Sequence, residues 1–151
     1  MKRFPVVTAS LLVALASTVA VAQAPAPQQT AKAAANSPTR QIVATYFHGD
    51  YRCYTCRKIE ADAKAAIEQA FAAELADGRV VFRAVNVDRS ENAHFIQDYS
   101  LVTRSLVLTE EVGGKVVRWI NLDRVWQLVR NEDAYREYVV GSVRSYLDGH
   151  A

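Results

Sequence analysis

The sequence predicts an α/β fold built on a four-stranded mixed sheet with helices on both faces. Three observations point to it. Two β-rich runs, residues 41–47 and 79–88, are separated by one long amphipathic pattern, the strand, helix, strand order of a parallel crossover. Two further runs, 102–112 and 115–120, flank Gly113-Gly114, a pair suited to the left-handed torsions of a tight hairpin. A last amphipathic run over 131–147 closes the sheet as a helix.

Each element has its own warrant. Residues 41–47, Gln-Ile-Val-Ala-Thr-Tyr-Phe, are mostly β-branched or aromatic and stop at His48-Gly49-Asp50, which favour a turn. From position 53 to about 75, Ile59, Ala63, Ala66, Ile67, Ala70 and Phe71 recur at three and four. Lys58, Asp62, Lys64, Glu68 and Gln69 take the other faces, so this stretch reads as one helix ended by Asp77-Gly78. Val80, Val81, Phe82, Ala84, Val85 and Val87 make a second strand, after which Ser90-Glu91-Asn92 can cap a short helix through Tyr99. A helical turn is expected at 123–129. Asn131 then caps a helix whose Tyr135, Tyr138, Val139, Val143, Tyr146 and Leu147 share a face.

The chain has 151 residues, 50% hydrophobic and 23% charged, which is ordinary globular composition and excludes a large multidomain enzyme or a disordered chain. Residues 1–22 show Lys2 and Arg3, then an apolar run, then Ala20-Val21-Ala22, the three regions of a secretory signal. Cleavage before Gln23 is expected, leaving no stable membrane insertion; the alternative is an uncleaved anchor, since the run sits at the lower limit for a membrane span. Residues 23–39, rich in Ala, Pro and Gln, read as a disordered linker, and 40–148 as the folded domain. The expected location is across the inner membrane, in the periplasm. Without Lys2 and Arg3, sixteen basic residues balance sixteen acidic ones, which argues against nucleic-acid binding through a basic patch.

Chemistry concentrates at Cys53 and Cys56, the two cysteines of the chain. They are too few for a tetrathiolate zinc site or a framework of bridges. At a helix start, their spacing puts both sulfurs on one side within bonding reach. Unpaired helix N–H groups and the helix dipole favour a thiolate at Cys53, and Arg52, Arg57 and Lys58 add positive charge. Cys53 is therefore the expected nucleophile and Cys56 the resolving thiol. An inert bridge is the bland alternative, although so small a loop stabilises a fold by only about 2 kcal/mol. A copper or zinc site on Cys53, Cys56 and His48, with His94 as a distant fourth ligand, is the other. His48 reads more simply as a hydrogen-bonded loop residue. Tyr51, Tyr54, Trp119 and Trp126 either line a groove beside the pair or fill the core.

A strand ending in a short loop, Cys53-Tyr54-Thr55-Cys56 opening a long helix, and Asn86-Val87-Asp88 closing the next strand together resemble the thioredoxin superfamily over 40–147. More narrowly, Tyr46-Phe47-His48-Gly49-Asp50-Tyr51-Arg52-Cys53, Val85-Asn86-Val87-Asp88 and Val117-Arg118-Trp119 are similar to small bacterial thioredoxin-like proteins called nitrophenyl compound nitroreductase subunit ArsF. The resemblance implies a thioredoxin-like fold and thiol–disulfide exchange or electron relay through Cys53 and Cys56. It implies no cofactor beyond the redox-active disulfide, and a protein dithiol, disulfide or redox protein as partner. The word "subunit" keeps a non-catalytic role in a redox enzyme as an alternative.

Three departures accompany the likeness. The family usually buries an acidic residue beneath the pair, where this chain reads Tyr46-Phe47-His48, and the partner lysine on the next strand falls at about Ala84. His48 or Glu60 is left as a substitute proton acceptor. Ser105 falls where a cis-proline normally packs against the cysteines, and a trans Arg104–Ser105 bond is expected because a non-proline cis bond costs about 2.5 to 4 kcal/mol. In the family that proline shields the sulfurs from metals, and the residue before it pairs with an extended substrate.

Overall fold

The computed structural model describes residues 39–150. The expected signal at 1–22, and the expected linker up to residue 38, lie outside the described residues. In chain order the elements are β1 (Arg40–His48), α1 (Tyr54–Ala70), α2 (Ala72–Ala76), β2 (Val80–Asn86), a 3-10 turn (Ser90–Asn92), α3 (Phe95–Asp98), β3 (Ser105–Val112), β4 (Lys115–Asn121), α4 (Val125–Leu128) and α5 (Glu132–Leu147). The sheet runs β2-β1-β3-β4. β1 pairs with β2 in parallel and with β3 antiparallel, and β3 pairs antiparallel with β4. The expected mixed four-stranded sheet is present.

Alternation along β1 sorts the core into two layers. Ile42, Ala44 and Tyr46 join Leu106 and Leu108 of β3 on the face covered by α1, through Ile59, Ala63 and Ile67, and by α5, through Tyr135, Val139 and Val143. Phe47 and Val107 face the other way and pack with Tyr99, Phe95, Val85 and Leu101. Helices therefore lie on both faces, but unequally: α1 and α5 span 17 and 16 residues, and α3 only 4.

The expected single helix over 53–75 is interrupted. Phe71 leaves helical geometry at φ −132° and ψ 35°, with its ring buried in the main core, and α2 resumes beyond it. Apolar spacing survives the break because only one residue departs, which is why periodicity alone reads straight through it. The third strand is also shorter than expected. Val102 is 95% exposed, and pairing starts at Ser105.

The end of α5 is fixed by two arginines. Arg40 donates to the carbonyls of Tyr146 at 2.6 Å and Leu147 at 3.0 Å, and Arg118 donates to Tyr146 at 3.2 Å. These last-turn carbonyls lack partners within the helix, so cations suit them. Both arginines also pair with Glu110 on β3, and Arg118 lies over the Tyr146 ring at 4.2 Å. The carboxyl of Glu110 is thereby held below its ordinary range, chiefly by its hydrogen bond from Arg40.

Candidate functional site

The parallel β1 and β2 end side by side, and the loop from β1 to α1 is tied across their ends. The Asp50 N–H donates to Asp88 Oδ2 at 2.7 Å, and Asn86 Nδ2 donates to Asp50 Oδ1 at 2.7 Å. The Asp88 N–H donates to Asn86 Oδ1 at 3.0 Å, and the Val87 N–H donates to the His48 carbonyl at 2.8 Å. On the other side, Arg104 Nη2 donates to the Tyr51 carbonyl at 3.0 Å, and Trp126 Nε1 fixes the Arg104 carbonyl at 2.8 Å. Between the two loops a cleft of about 150 Å³ is lined by Phe47, His48, Val87, Leu101 and Arg104 among others.

That framework delivers Cys53 to the N-cap of α1, in extended geometry at φ −69° and ψ 167°. Its Sγ accepts from the Cys56 N–H at 3.0 Å, so the sulfur satisfies one of the helix's unpaired donors. Cys53 and Cys56 form a disulfide with Cα atoms 5.0 Å apart. Cys53 is half-buried, whereas Cys56 is only 4% exposed. A partner can therefore reach the first sulfur more readily than the second.

The charges around the pair are engaged to different degrees. The first turn of α1 carries no acidic residue, leaving the positive end of the helix uncompensated. Arg57 donates to the Arg52 carbonyl at 2.7 Å. Glu60 pairs with the Arg52 guanidinium. Lys58 lies 2.9 Å from both Asp62 and Glu132, and these bonds push its ammonium pKa upward.

Of the other expected site residues, Ser105 is the buried first residue of β3, in register with Phe47. Its hydroxyl donates to the Thr103 carbonyl at 3.0 Å and accepts from Asn121 Nδ2 at 3.4 Å. His48 ends β1, its Nδ1 lying 2.9 Å from the Gly49 carbonyl. His94 is exposed and lies 3.9 Å from Asp98. Among the described residues no three His, Cys, Asp or Glu side chains form a candidate metal-ligand group. Tyr51 and Tyr54 flank the pair at 77% and 76% exposure, while Trp119 packs edge-on against Tyr99 at the far strand.

One residue at the site had no assigned role in the sequence. Tyr46 is fully buried, pairs in register with Ala84, and donates its hydroxyl to the Cys56 carbonyl at 2.8 Å. Tyr46 and Ala84 are thus neighbours across the two parallel strands, one contributing a phenol and the other a methyl. A tyrosine in the middle of a buried strand was the available signal, since a buried phenol needs a partner.

This sheet order, with a cysteine pair opening the crossover helix between its two parallel strands, is the thioredoxin-like fold. No family model and no curated protein matches the chain. Among solved structures it is similar to thioredoxin from Fasciola hepatica, at 24% identity over 67% of this chain and 80% of that one, with a TM-score of 0.38. Thioredoxin from Trypanosoma brucei brucei is similar at 17% identity over 69% and 76%, also at 0.38. The zinc-bound form of human ERp44 is similar at 18% identity over 60% of this chain and 26% of that one, at 0.36. The fold assignment rests on strand order and polarity, and the chemistry on the cysteine pair.

Proposed function

We propose that this chain is an exported thiol–disulfide exchange or electron-relay protein that works through Cys53 and Cys56 on another protein. The observation that carries the reading is the asymmetry of the pair: a half-buried cysteine at the helix N-cap, its sulfur hydrogen-bonded by a helix N–H, with a nearly inaccessible cysteine bonded behind it. In the reduced chain, the Cys53 thiolate attacks one sulfur of a partner disulfide, and the other partner sulfur leaves as a thiolate that takes a proton. Cys56 then loses its proton and attacks Cys53, releasing the second partner thiol. Two electrons and two protons pass to the partner, and the Cys53–Cys56 disulfide is left. With an oxidised chain and a partner dithiol, the same steps run backward.

The composition of residues 1–22 supports export to the periplasm. The resemblance to the thioredoxin superfamily over residues 40–147 supports a protein dithiol, disulfide or redox protein, rather than a small molecule, as the partner.

The deciding experiment equilibrates metal-free protein with thiol–disulfide buffers and measures a reduction potential for the pair, alongside reduction of a protein disulfide by the reduced chain. A two-electron couple, with catalysis abolished by Cys53→Ser and a mixed disulfide accumulating on Cys53 in Cys56→Ser, is the expected result. A pair that stays oxidised throughout the accessible range, with no exchange, would reduce the bridge to a structural one.

A further inference from the structure

Two tyrosines reach the helix that carries the cysteines, each from a different element. Tyr46 on β1 donates to the carbonyl of Cys56 at 2.8 Å, and Tyr135 on α5 donates to the carbonyl of Ile59 at 2.7 Å. Both phenols are buried, and both carbonyls belong to residues on the buried side of α1. Inside a helix each carbonyl also accepts from the N–H four residues on, so these are second bonds to already paired oxygens. Their consequences differ. Tyr135 steadies the helix body, but Tyr46 holds the peptide group of the resolving cysteine itself.

We infer that Tyr46 is a positioning residue for exchange, fixing the backbone of Cys56 against the central strand so that its sulfur stays poised over Cys53. This rests on the redox reading above and extends it. A helix frays most readily at its ends, where backbone groups lack partners within the helix. In this chain the N-terminal end of α1 contains both reacting sulfurs. β1 lies between β2 and β3, paired on both sides, and Tyr46 sits in its buried stretch opposite Ala84 and Leu106. A bond from that rigid strand to the Cys56 carbonyl restricts the reduced chain to geometries near the one the disulfide needs. Such restriction raises the effective concentration of one thiol beside the other. Burial raises the Tyr46 pKa despite the opposing charges of Arg52 and Arg104, which keeps the hydroxyl a donor.

The step affected is the second one. Once Cys53 is joined to a partner sulfur, Cys56 gives up its proton and attacks Cys53 Sγ; the Cys53–Cys56 bond forms, the bond to the partner breaks, and the partner sulfur leaves as a thiolate. The attack by Cys53 on the partner does not use the Cys56 sulfur, and the Cys56 N–H that bonds Cys53 Sγ belongs to the preceding peptide group, not to the one Tyr46 holds. Tyr46 should therefore act on resolution and leave the first attack alone.

The test uses the full reduced chain and an aromatic disulfide reagent that releases one coloured thiolate at each step, followed by stopped-flow absorbance. Tyr46→Phe and Tyr135→Phe each remove one oxygen from a buried ring, so each serves as the folding control for the other. In Tyr46→Phe the first release should keep the wild-type rate and the second should slow threefold to tenfold. Its disulfide should become easier to reduce by a similar factor, up to about 30 mV for tenfold. Tyr135→Phe should leave both releases unchanged while losing comparable thermal stability. Equal slowing of the second release in both variants would mean a general loosening of α1 and overturn the inference, as would an unchanged second release in Tyr46→Phe. A wild-type chain that releases one equivalent and stops would instead overturn the redox reading beneath it.

Discussion

Gly49 approaches Asp88 so closely that a Cβ at position 49 would lie 2.6 Å from Asp88 Oδ2. That oxygen is also the acceptor for the Asp50 N–H. The loop leading to the cysteines is thus packed against the carboxylate that ties it down. A methyl group at 49 must displace the carboxylate and leave the Asp50 N–H to water. Gly49→Ala should destabilise the fold by about 1 to 2 kcal/mol. Asp88→Ala should cost a similar amount, and adding Gly49→Ala to it should then cost little, because the obstacle is gone. Chemical denaturation of the two single variants and the double variant measures the coupling. Simple additivity would mean that the two residues do not share this contact.

The cysteines should differ in reactivity once reduced. Cys53 is half-buried at the helix N-cap, and its sulfur accepts a helix N–H, whereas Cys56 is nearly inaccessible. At neutral pH, alkylation of the fully reduced chain should modify Cys53 at least tenfold faster than Cys56. Mass spectrometry of peptides after brief exposure to iodoacetamide reads the ratio directly. Faster labelling of Cys56 would reverse the assignment of attacking and resolving thiols.

Local chemistry was the legible part of this chain. The β-branched run of β1, the Gly113-Gly114 hairpin with both residues at positive φ, and the Asn131 cap accepting from the Ala134 N–H follow from rules acting over a few residues. The placement of Cys53 at a helix start follows in the same way. Long-range partners are what the sequence could not supply. Glu60, four residues after Cys56, is placed by its spacing near the resolving thiol, yet its partner is Arg52, eight residues earlier and beyond the cap. The bond from Tyr46 to Cys56 depends on how closely α1 settles on the sheet, which side-chain packing decides. The ties from Arg40 to Glu110 and Tyr146 join residues 70 and 106 apart.

Glu110 makes stability pH-dependent in a defined direction. Its side chain is 14% exposed between Arg40 and Arg118, and its pKa is lowered from the ordinary 4.5 first by the Arg40 hydrogen bond. A carboxylate whose folded pKa lies below its unfolded one contributes stability that is fully present above the unfolded value. The contribution is lost as pH falls through the folded value. Glu110→Gln should cost about 2 kcal/mol at pH 7, by leaving two part-buried guanidinium groups without their anion. The gap between wild type and variant should narrow as pH is lowered from about 5 towards 3. Denaturation midpoints across that window test it, and a constant gap would show that the carboxylate's charge is not what matters.

Ser105 is where the departure from thioredoxins should be felt in function. It is the buried first residue of β3, a strand position that tolerates proline. Its hydroxyl joins the Thr103 carbonyl to Asn121, so replacing it removes about 1 kcal/mol of hydrogen bonding whatever the substitute. Ser105→Ala isolates that loss. Ser105→Pro adds the ring that, by the resemblance, shields the sulfurs and shapes the loop that an extended substrate pairs with. The reduced proline variant should therefore reduce a generic protein disulfide several-fold faster than wild type and bind zinc or copper several-fold more weakly. Ser105→Ala should match wild type in both. Insulin turbidity assays and competition with a metal indicator supply the two readings. Equal rates and equal metal affinities in all three proteins would place Ser105 away from the sulfurs and remove it as a source of partner or metal selectivity.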